Sequence, residues 1–181
     1  MKTLIVIAIA AVSGGGKTTV VKSLNEELES SKALHFDDYD FEECPEDFFQ
    51  WVQNGADYNE WNTSVLVDDI KQLLSQSSLE YILLDYPFAY KNERAKQYID
   101  YAIFIDTPLD VAMARRIIRN MSNKNVDLLK DDLNYYLSKG RVAYLEMIKT
   151  IKPNSDFIID GNLSTHDIVS KIIKKIKVLG E

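Results

Sequence analysis

An α/β fold, with one parallel sheet between two layers of helices, is predicted by two features of this chain. Short apolar runs recur at Leu4–Ile9, Ala33–Phe36, Tyr81–Leu84, Ala102–Ile105 and Phe157–Ile159. Each is nearly continuous rather than alternating, as strands buried on both faces require. Helical periodicities fill the spaces between them, and strands alternating with helices give a parallel sheet covered on both sides.

The elements follow in order. After the first run, Val20, Val21, Leu24 and Leu28 share one helical face. Pro45, with Glu46 and Asp47 behind it, reads as the first turn of a short helix, where a proline and acidic residues are both favoured. Val65, Leu66, Ile70, Leu73 and Leu74 mark a longer helix begun near Asn62 or Thr63. Thr107-Pro108 caps another that runs through Met113 and Ile117. Residues 128–151 form a helical stretch with a break near Gly140. The last helix starts at Ser164 or Thr165, turning Ile168, Ile172, Ile173 and Ile176 inward and Lys171, Lys174, Lys175 and Lys177 to solvent. That lysine set is a solvated face rather than a binding patch.

Composition sets the bounds. The 181 residues fit one domain, 46% hydrophobic and 27% charged, as in an ordinary globular protein. The net charge of −7 repels a phosphate backbone, so no nucleic acid partner is expected. One cysteine, Cys44, allows no internal disulfide, in keeping with a reducing, cytoplasmic location. No apolar stretch reaches the roughly 18 residues of a spanning helix, so no membrane partner is expected either. A rival reading of the start is a short secretory signal, with Lys2 before Leu4–Val12 and small residues at Ala8-Ile9-Ala10. It is disfavoured, because a single lysine precedes the run and the run leads straight into a glycine loop. A homodimer is compatible with the size, with no exposed apolar stripe to mark its contact.

In sheets of this kind ligands sit at the carboxyl ends of the strands, so those ends carry the functional argument. The first leads into "AVSGGGKTTV", residues 11–20. Ser13, Gly14, Gly15, Gly16, Lys17, Thr18 and Thr19 form a strand–glycine loop–helix passage. Glycines let backbone N–H groups curl around phosphate oxygens, the helix start adds partial positive charge, Lys17 reaches the outer phosphates and Thr18 offers a hydroxyl to Mg²⁺. A bare Gly-Lys-Thr means little; the buried strand before it and the amphipathic helix after it make it specific. Ala11 stands where the phosphate-loop pattern has glycine, a strand-exit position that accepts a methyl group if φ stays negative.

The second end, "HFDDYDF", places Asp37 and Asp38 beside that loop. A carboxylate there is repulsive unless it serves a hydroxyl or a metal, and phosphoryl transfer needs one to position and deprotonate an accepting hydroxyl. The competing reading is a turn or capping pair. The third end is Asp85, in "YILLDYPFAY", placed to orient Mg²⁺ through water, or else a simple strand terminator. The fourth leads to Arg115, Arg116 and Arg119. Residues 115 and 119 share a helical face, and 116 and 119 nearly do. Such arginines neutralise a transferring phosphoryl group or make surface ion pairs. The fifth end, Asp160-Gly161-Asn162, is a turn that could border a nucleotide base.

Taken together, "AVSGGGKTT", "HFDDYDF", the strand ending in Asp85, the arginine helix and "DFIIDGNLS" resemble the uridine kinase-like branch of the P-loop kinases, related to phosphoribulokinase and nicotinamide riboside kinase. The resemblance implies a P-loop NTPase three-layer sandwich, with a five-stranded parallel sheet in the order 2-3-1-4-5. It implies ATP and Mg²⁺ and the phosphorylation of a small-molecule hydroxyl, with a nucleoside as the first expectation. It makes Asp37 the catalytic base and points to Tyr39, with Asp38, at the substrate pocket. On that frame Lys17, Arg115 and Arg119 serve catalysis, Arg116 joins the loop around the nucleotide, and Thr18 and Asp85 hold the metal. Residues 108–121 form an arginine lid helix.

The branch often carries a hairpin between strands two and three. Here a helical insert around 43–62, "CPEDFFQWVQNGADYNEWN", stands in its place. Its Trp51, Tyr58 and Trp61 either stack on a flat base or serve as core or lid packing, and Trp51 and Trp61, with Tyr86, are candidates to contact substrate. Alternatives remain. A nucleoside monophosphate kinase needs cations for its anionic acceptor, yet residues 37–60 hold no Lys or Arg. A non-catalytic nucleotide switch would have no use for Asp37. A zeta-toxin-like sugar-nucleotide kinase has no residue that specifically calls for it. One cysteine and two distant histidines, His35 and His166, do not make a zinc site.

Overall fold

The computed structural model describes residues 4–121 and 125–179; Lys2 of the signal reading lies outside them. The sheet contains β1 (Ile5–Ala10), β2 (Ser31–His35), β3 (Tyr81–Asp85), β4 (Tyr101–Asp106) and β5 (Phe157–Asp160). Its order is β2-β3-β1-β4-β5, with every pairing parallel, as expected. The central strand β1 is buried along its whole length, which its unbroken apolar sequence requires. The edge strands β2 and β5 are partly exposed.

Side-chain alternation along the strands splits the core in two. Ile5, Ile7 and Ile9 face the helices α1 (Lys17–Glu27) and α8 (Thr165–Lys177), packing with Val20, Val21, Leu24, Ile168, Ile172 and Ile176. Val6, Ala8 and Ala10 face the other layer, in one cluster with Leu66, Val67, Ile70 and, from the 43–62 segment, Trp51, Tyr58 and Trp61. Fully burying a side chain such as Leu24 or Ile70 contributes about 1.5–3 kcal/mol.

Between β2 and β3 lie α2 (Phe48–Gln53) and α3 (Ser64–Leu74). Helix α2 begins after the expected point. Asp47 is its cap, accepting from the N–H groups of Phe49 (2.8 Å) and Gln50 (3.1 Å), which leaves Pro45 outside the helix. In α3 the buried face is Leu66, Val67, Ile70 and Leu73; Val65 and Leu74, expected on it, are exposed at its flanks.

The short α4 (Glu93–Lys96) leads to β4, followed by α5 (Leu109–Met121). Thr107 does not cap α5 with its side chain. Its hydroxyl instead donates to the Gly15 carbonyl at 2.8 Å, tying the end of β4 to the glycine loop. The expected break near Gly140 is a π-helical turn, Tyr136–Gly140, between α6 (Val126–Tyr135) and α7 (Arg141–Thr150). Ser164 caps α8 through the Asp167 N–H, and the four lysines of α8 face solvent.

Candidate active site

The carboxyl ends of β1, β2 and β3 meet in register, with Asp85 opposite both Ile9 and His35. Over them opens a cavity of about 570 Å³. Its two sides are made differently.

One side is the glycine loop. Gly14 and Gly16 have φ of 81° and 98°, conformations that L side chains rarely adopt. A Cβ on Gly14 would fall 2.1 Å from the Ala112 carbonyl oxygen, so the loop lies directly against α5. Helix α1 has no side-chain cap at its start, unlike α2, α6 and α8, and its first N–H groups remain open to a ligand. Val12, Ser13, Gly14, Gly16, Lys17, Thr18 and Thr19 line the cavity. Gly15, expected among them, does not. Its N–H donates to the Val12 carbonyl at 2.8 Å, its carbonyl takes the Thr107 hydroxyl, and a Cβ there would lie 2.8 Å from that of Ala11. Ala11 is buried with φ outside the positive range, as the strand-exit reading requires; it packs in the core on the α1 side and also borders the cavity.

Asp85, 2% exposed, ion-pairs with the Lys17 ammonium through one carboxylate oxygen and meets His35 Nδ1 at 3.0 Å through the other. Burial alone would raise this carboxyl. The Lys17 charge beside it, with hydrogen bonds from Lys17, Thr18 and His35, outweighs burial and holds it below the usual carboxylate range. His35 had no partner nameable from sequence; strand register alone sets it opposite Asp85. No cluster of three metal-ligating side chains exists among the described residues. The pair of Thr18 and Asp85 suits Mg²⁺, which keeps several of its waters and takes few protein ligands.

Arg115 and Arg119 both line the cavity, and Arg115 also donates to the Gly161 carbonyl at 3.3 Å. Gly161 is packed so tightly on Thr107 that a Cβ would fall 1.9 Å from its hydroxyl oxygen, so the 160–162 turn abuts the loop assembly. Arg116, expected with its neighbours, points elsewhere and donates to the Tyr144 hydroxyl at 2.6 Å. Adjacent residues on a helix point about 100° apart, and that rotation carries Arg116 off the face shared by 115 and 119.

The other side is aromatic. Phe36, Phe48, Trp51, Tyr58, Trp61 and Phe88 line it, with Pro87, Ala143 and Met147. Trp51 meets Tyr58 at 5.0 Å and Trp61 at 5.1 Å, both edge to face, and Trp61 meets Phe88 at 4.8 Å. Trp51 and Trp61 are therefore core residues and cavity wall at once. Two polar ends of this wall are already engaged: Trp51 Nε1 donates to the Asp57 carbonyl, and the Tyr58 hydroxyl pairs with Thr150. Tyr58, pushed up to about 12 mainly by burial, stays a neutral hydroxyl.

Asp37 stands in the 3₁₀ turn Phe36–Asp38 at the end of β2, exposed and among the residues that line the cavity. Asp38 and Tyr39 do not line the cavity. Asp38 faces solvent, and the Tyr39 hydroxyl is committed to Asp69 on α3 at 2.8 Å, with its ring stacked on Phe41. Tyr86 is wholly buried behind the wall against Phe36 and Phe88, and its hydroxyl lacks a hydrogen-bond partner. It shares the parity of Ile82 and Leu84, which face the inner layer.

No family model matches the chain. It is 25% identical to uridine kinases of Streptococcus pneumoniae, including those of strains Hungary19A-6 and CGSP14, in alignments covering 98% of this chain and 95% of theirs. The fold is shared with a structure described as a possible uridine kinase from Bacillus stearothermophilus (TM-score 0.56, 16% identity, 88% of this chain and 90% of that one). It is shared too with a sugar kinase from Janibacter sp. HTCC2649 (TM-score 0.56, 13% identity, 96% and 95%). The chain is similar to uridine kinases over nearly its whole length and has the fold of the P-loop kinases. The likeness to uridine kinases indicates a phosphotransferase that acts on a hydroxyl. Tyr58 lines the wall with Trp51 and Trp61, whereas Phe48 and Phe88 carry no signal in the sequence that sets them there, and Phe88 reaches the wall from a distant segment.

Proposed function

We propose that this kinase transfers the γ-phosphoryl group of ATP to a hydroxyl of a neutral, ring-bearing small molecule, with the 5′-hydroxyl of a nucleoside as the best candidate. The observation that carries this reading is the position of Asp37, in the lining of one cavity that has a phosphate-binding loop on one side and an aromatic wall on the other. ATP would lie on Gly14, Gly16 and Lys17–Thr19. Thr18 and Asp85 would hold Mg²⁺, which when bound neutralises phosphate charge. Asp37 accepts the proton of the attacking hydroxyl. Lys17 and the pair Arg115 and Arg119 supply positive charge where the phosphoryl group moves. Helix α5 serves as the lid that brings those arginines and excludes water.

Among the lining residues the cations Lys17, Arg115 and Arg119 all belong to the loop and α5, and the aromatic side has none. That distribution supports a neutral acceptor over a nucleoside monophosphate. The test is ADP release from ATP–Mg²⁺ across nucleosides, nucleoside monophosphates and small alcohols, with Asp37→Asn as control. Stimulation by a neutral alcohol that vanishes in the variant supports the reading. Stimulation by monophosphates alone overturns the acceptor, and ATP binding with no stimulation by any compound favours a switch.

A further inference from the structure

Asn92 touches neither the loop nor the cavity, yet it is fully buried and every hydrogen-bonding position of its amide is used. Its NH₂ group donates to the Tyr58 carbonyl at 2.8 Å and to the Trp61 carbonyl at 3.0 Å. Its oxygen accepts from the Thr63 hydroxyl at 2.9 Å and from the Ala95 N–H at 3.3 Å, the latter capping α4. Beside it the Glu93 N–H donates to Asn59 Oδ1 at 2.8 Å, a second stitch between the same two segments.

These bonds join the two pieces of chain from which the aromatic wall is made. Tyr58 and Trp61 come from the 43–62 segment; Pro87 and Phe88 come from the loop after β3 that ends at Asn92. The backbone around Tyr58 and Trp61 is a single 3₁₀ turn, Tyr58–Glu60, with few internal bonds to fix it. An amide alone among side chains of this size has two donors to satisfy two carbonyls and an oxygen to accept two more bonds. A carboxylate would face both carbonyls with negative charge.

We propose that Asn92 is the positioning residue for acceptor binding: it sets the distance and tilt of Tyr58 and Trp61 against Phe88, and so the width of the acceptor side of the cavity. Its effect on the reaction passes through the wall and leaves the nucleotide side alone. This rests on the kinase reading for its kinetic consequence, but its structural consequence can be read without catalysis. The chain has two tryptophans, Trp51 and Trp61, and both are in the wall. Their emission therefore reports this region.

The experiment uses the full-length protein with Asn92→Ala and, as the milder change, Thr63→Val, which removes the hydroxyl that fixes the direction of the Asn92 amide. Tryptophan emission, its quenching by acrylamide, the Kd for ATP, and kcat and KM for uridine are measured for each. Asn92→Ala should red-shift the emission, increase quenching and raise the KM for uridine at least about tenfold, with the ATP Kd changed less than about twofold. Thr63→Val should move the same quantities the same way by less, and it carries the test should Asn92→Ala fail to fold. Unchanged emission and quenching in the folded variant overturn the proposal. An ATP Kd that worsens in step with the KM for uridine overturns it too, since that marks general damage. Failure of the wild type to phosphorylate uridine would count against the nucleoside reading, and the emission and quenching results would still decide the role of Asn92.

Discussion

On the β1 side the cavity is built from backbone; on the side of the 43–62 segment it is built from rings. The glycine loop presents N–H groups, and its shape comes from positive φ at Gly14 and Gly16 and from Thr107 holding the Gly15 carbonyl. The aromatic side presents flat side chains on a backbone fixed by Asn92. A polyphosphate is the same in every nucleotide, so a rigid backbone cradle suits it. An acceptor differs from one kinase to another, and side chains can be exchanged without remaking the fold. The comparison explains why the loop reads so plainly in the sequence while the substrate does not.

If the two sides are separate in this way, substitutions should separate ATP binding from acceptor binding. Asp37→Asn should lower kcat by roughly 10²–10⁴-fold, as loss of a general base does, with ATP affinity unchanged by equilibrium dialysis. Next, Arg119→Ala should lower kcat by roughly 10³-fold. Arg116→Ala, whose side chain is engaged with Tyr144, should leave the rate nearly intact, and equal losses in the two would break the assignment of 115 and 119 to one face.

Gly14→Ala sets a methyl group against the Ala112 carbonyl at positive φ. Strain of about 1–3 kcal/mol should weaken ATP binding by roughly 5- to 150-fold while tryptophan emission stays as in the wild type. Trp61→Leu should do the reverse, raising the acceptor KM roughly 2- to 10-fold with no change in ATP affinity, in line with the loss of ring contacts.

The smallest effect concerns pH. Asp85 is held below its ordinary value, so the folded protein binds that proton more weakly than the unfolded chain does. The stabilisation is complete above the unfolded value of about 4 and is lost as pH falls through the lower folded value. Denaturant midpoints of the wild type and Asp85→Asn should therefore converge as pH drops below about 4.

Much of this was legible beforehand for a physical reason. Strands buried on both faces must be apolar throughout, and all five runs became strands shifted by no more than about two residues at an end. A phosphate loop needs bare backbone, which only a run of glycines provides. The misses share a different cause. The place of His35 beside Asp85 depends on strand register, and that of Asn92 on a contact between residues 31 positions apart in the chain. Tyr86 does not share the face of Asp85, nor Arg116 that of Arg115, because a step of one residue turns a side chain to the opposite face of a strand, or about 100° around a helix.

Helix α5 is held near its start by the phosphate loop and further along by α6 and Tyr144. Ala112 is fully buried and its carbonyl lies against Gly14, while Ile118 and Met121, further along, are 70% and 62% exposed. It is a lever whose fulcrum is the phosphate loop itself. With a rise of about 1.5 Å per residue, Arg119 sits about 10 Å from the fulcrum and Arg115 about 4.5 Å. Any tilt of the helix about Ala112 would carry Arg119 more than twice as far as Arg115, which is tied to the Gly161 carbonyl.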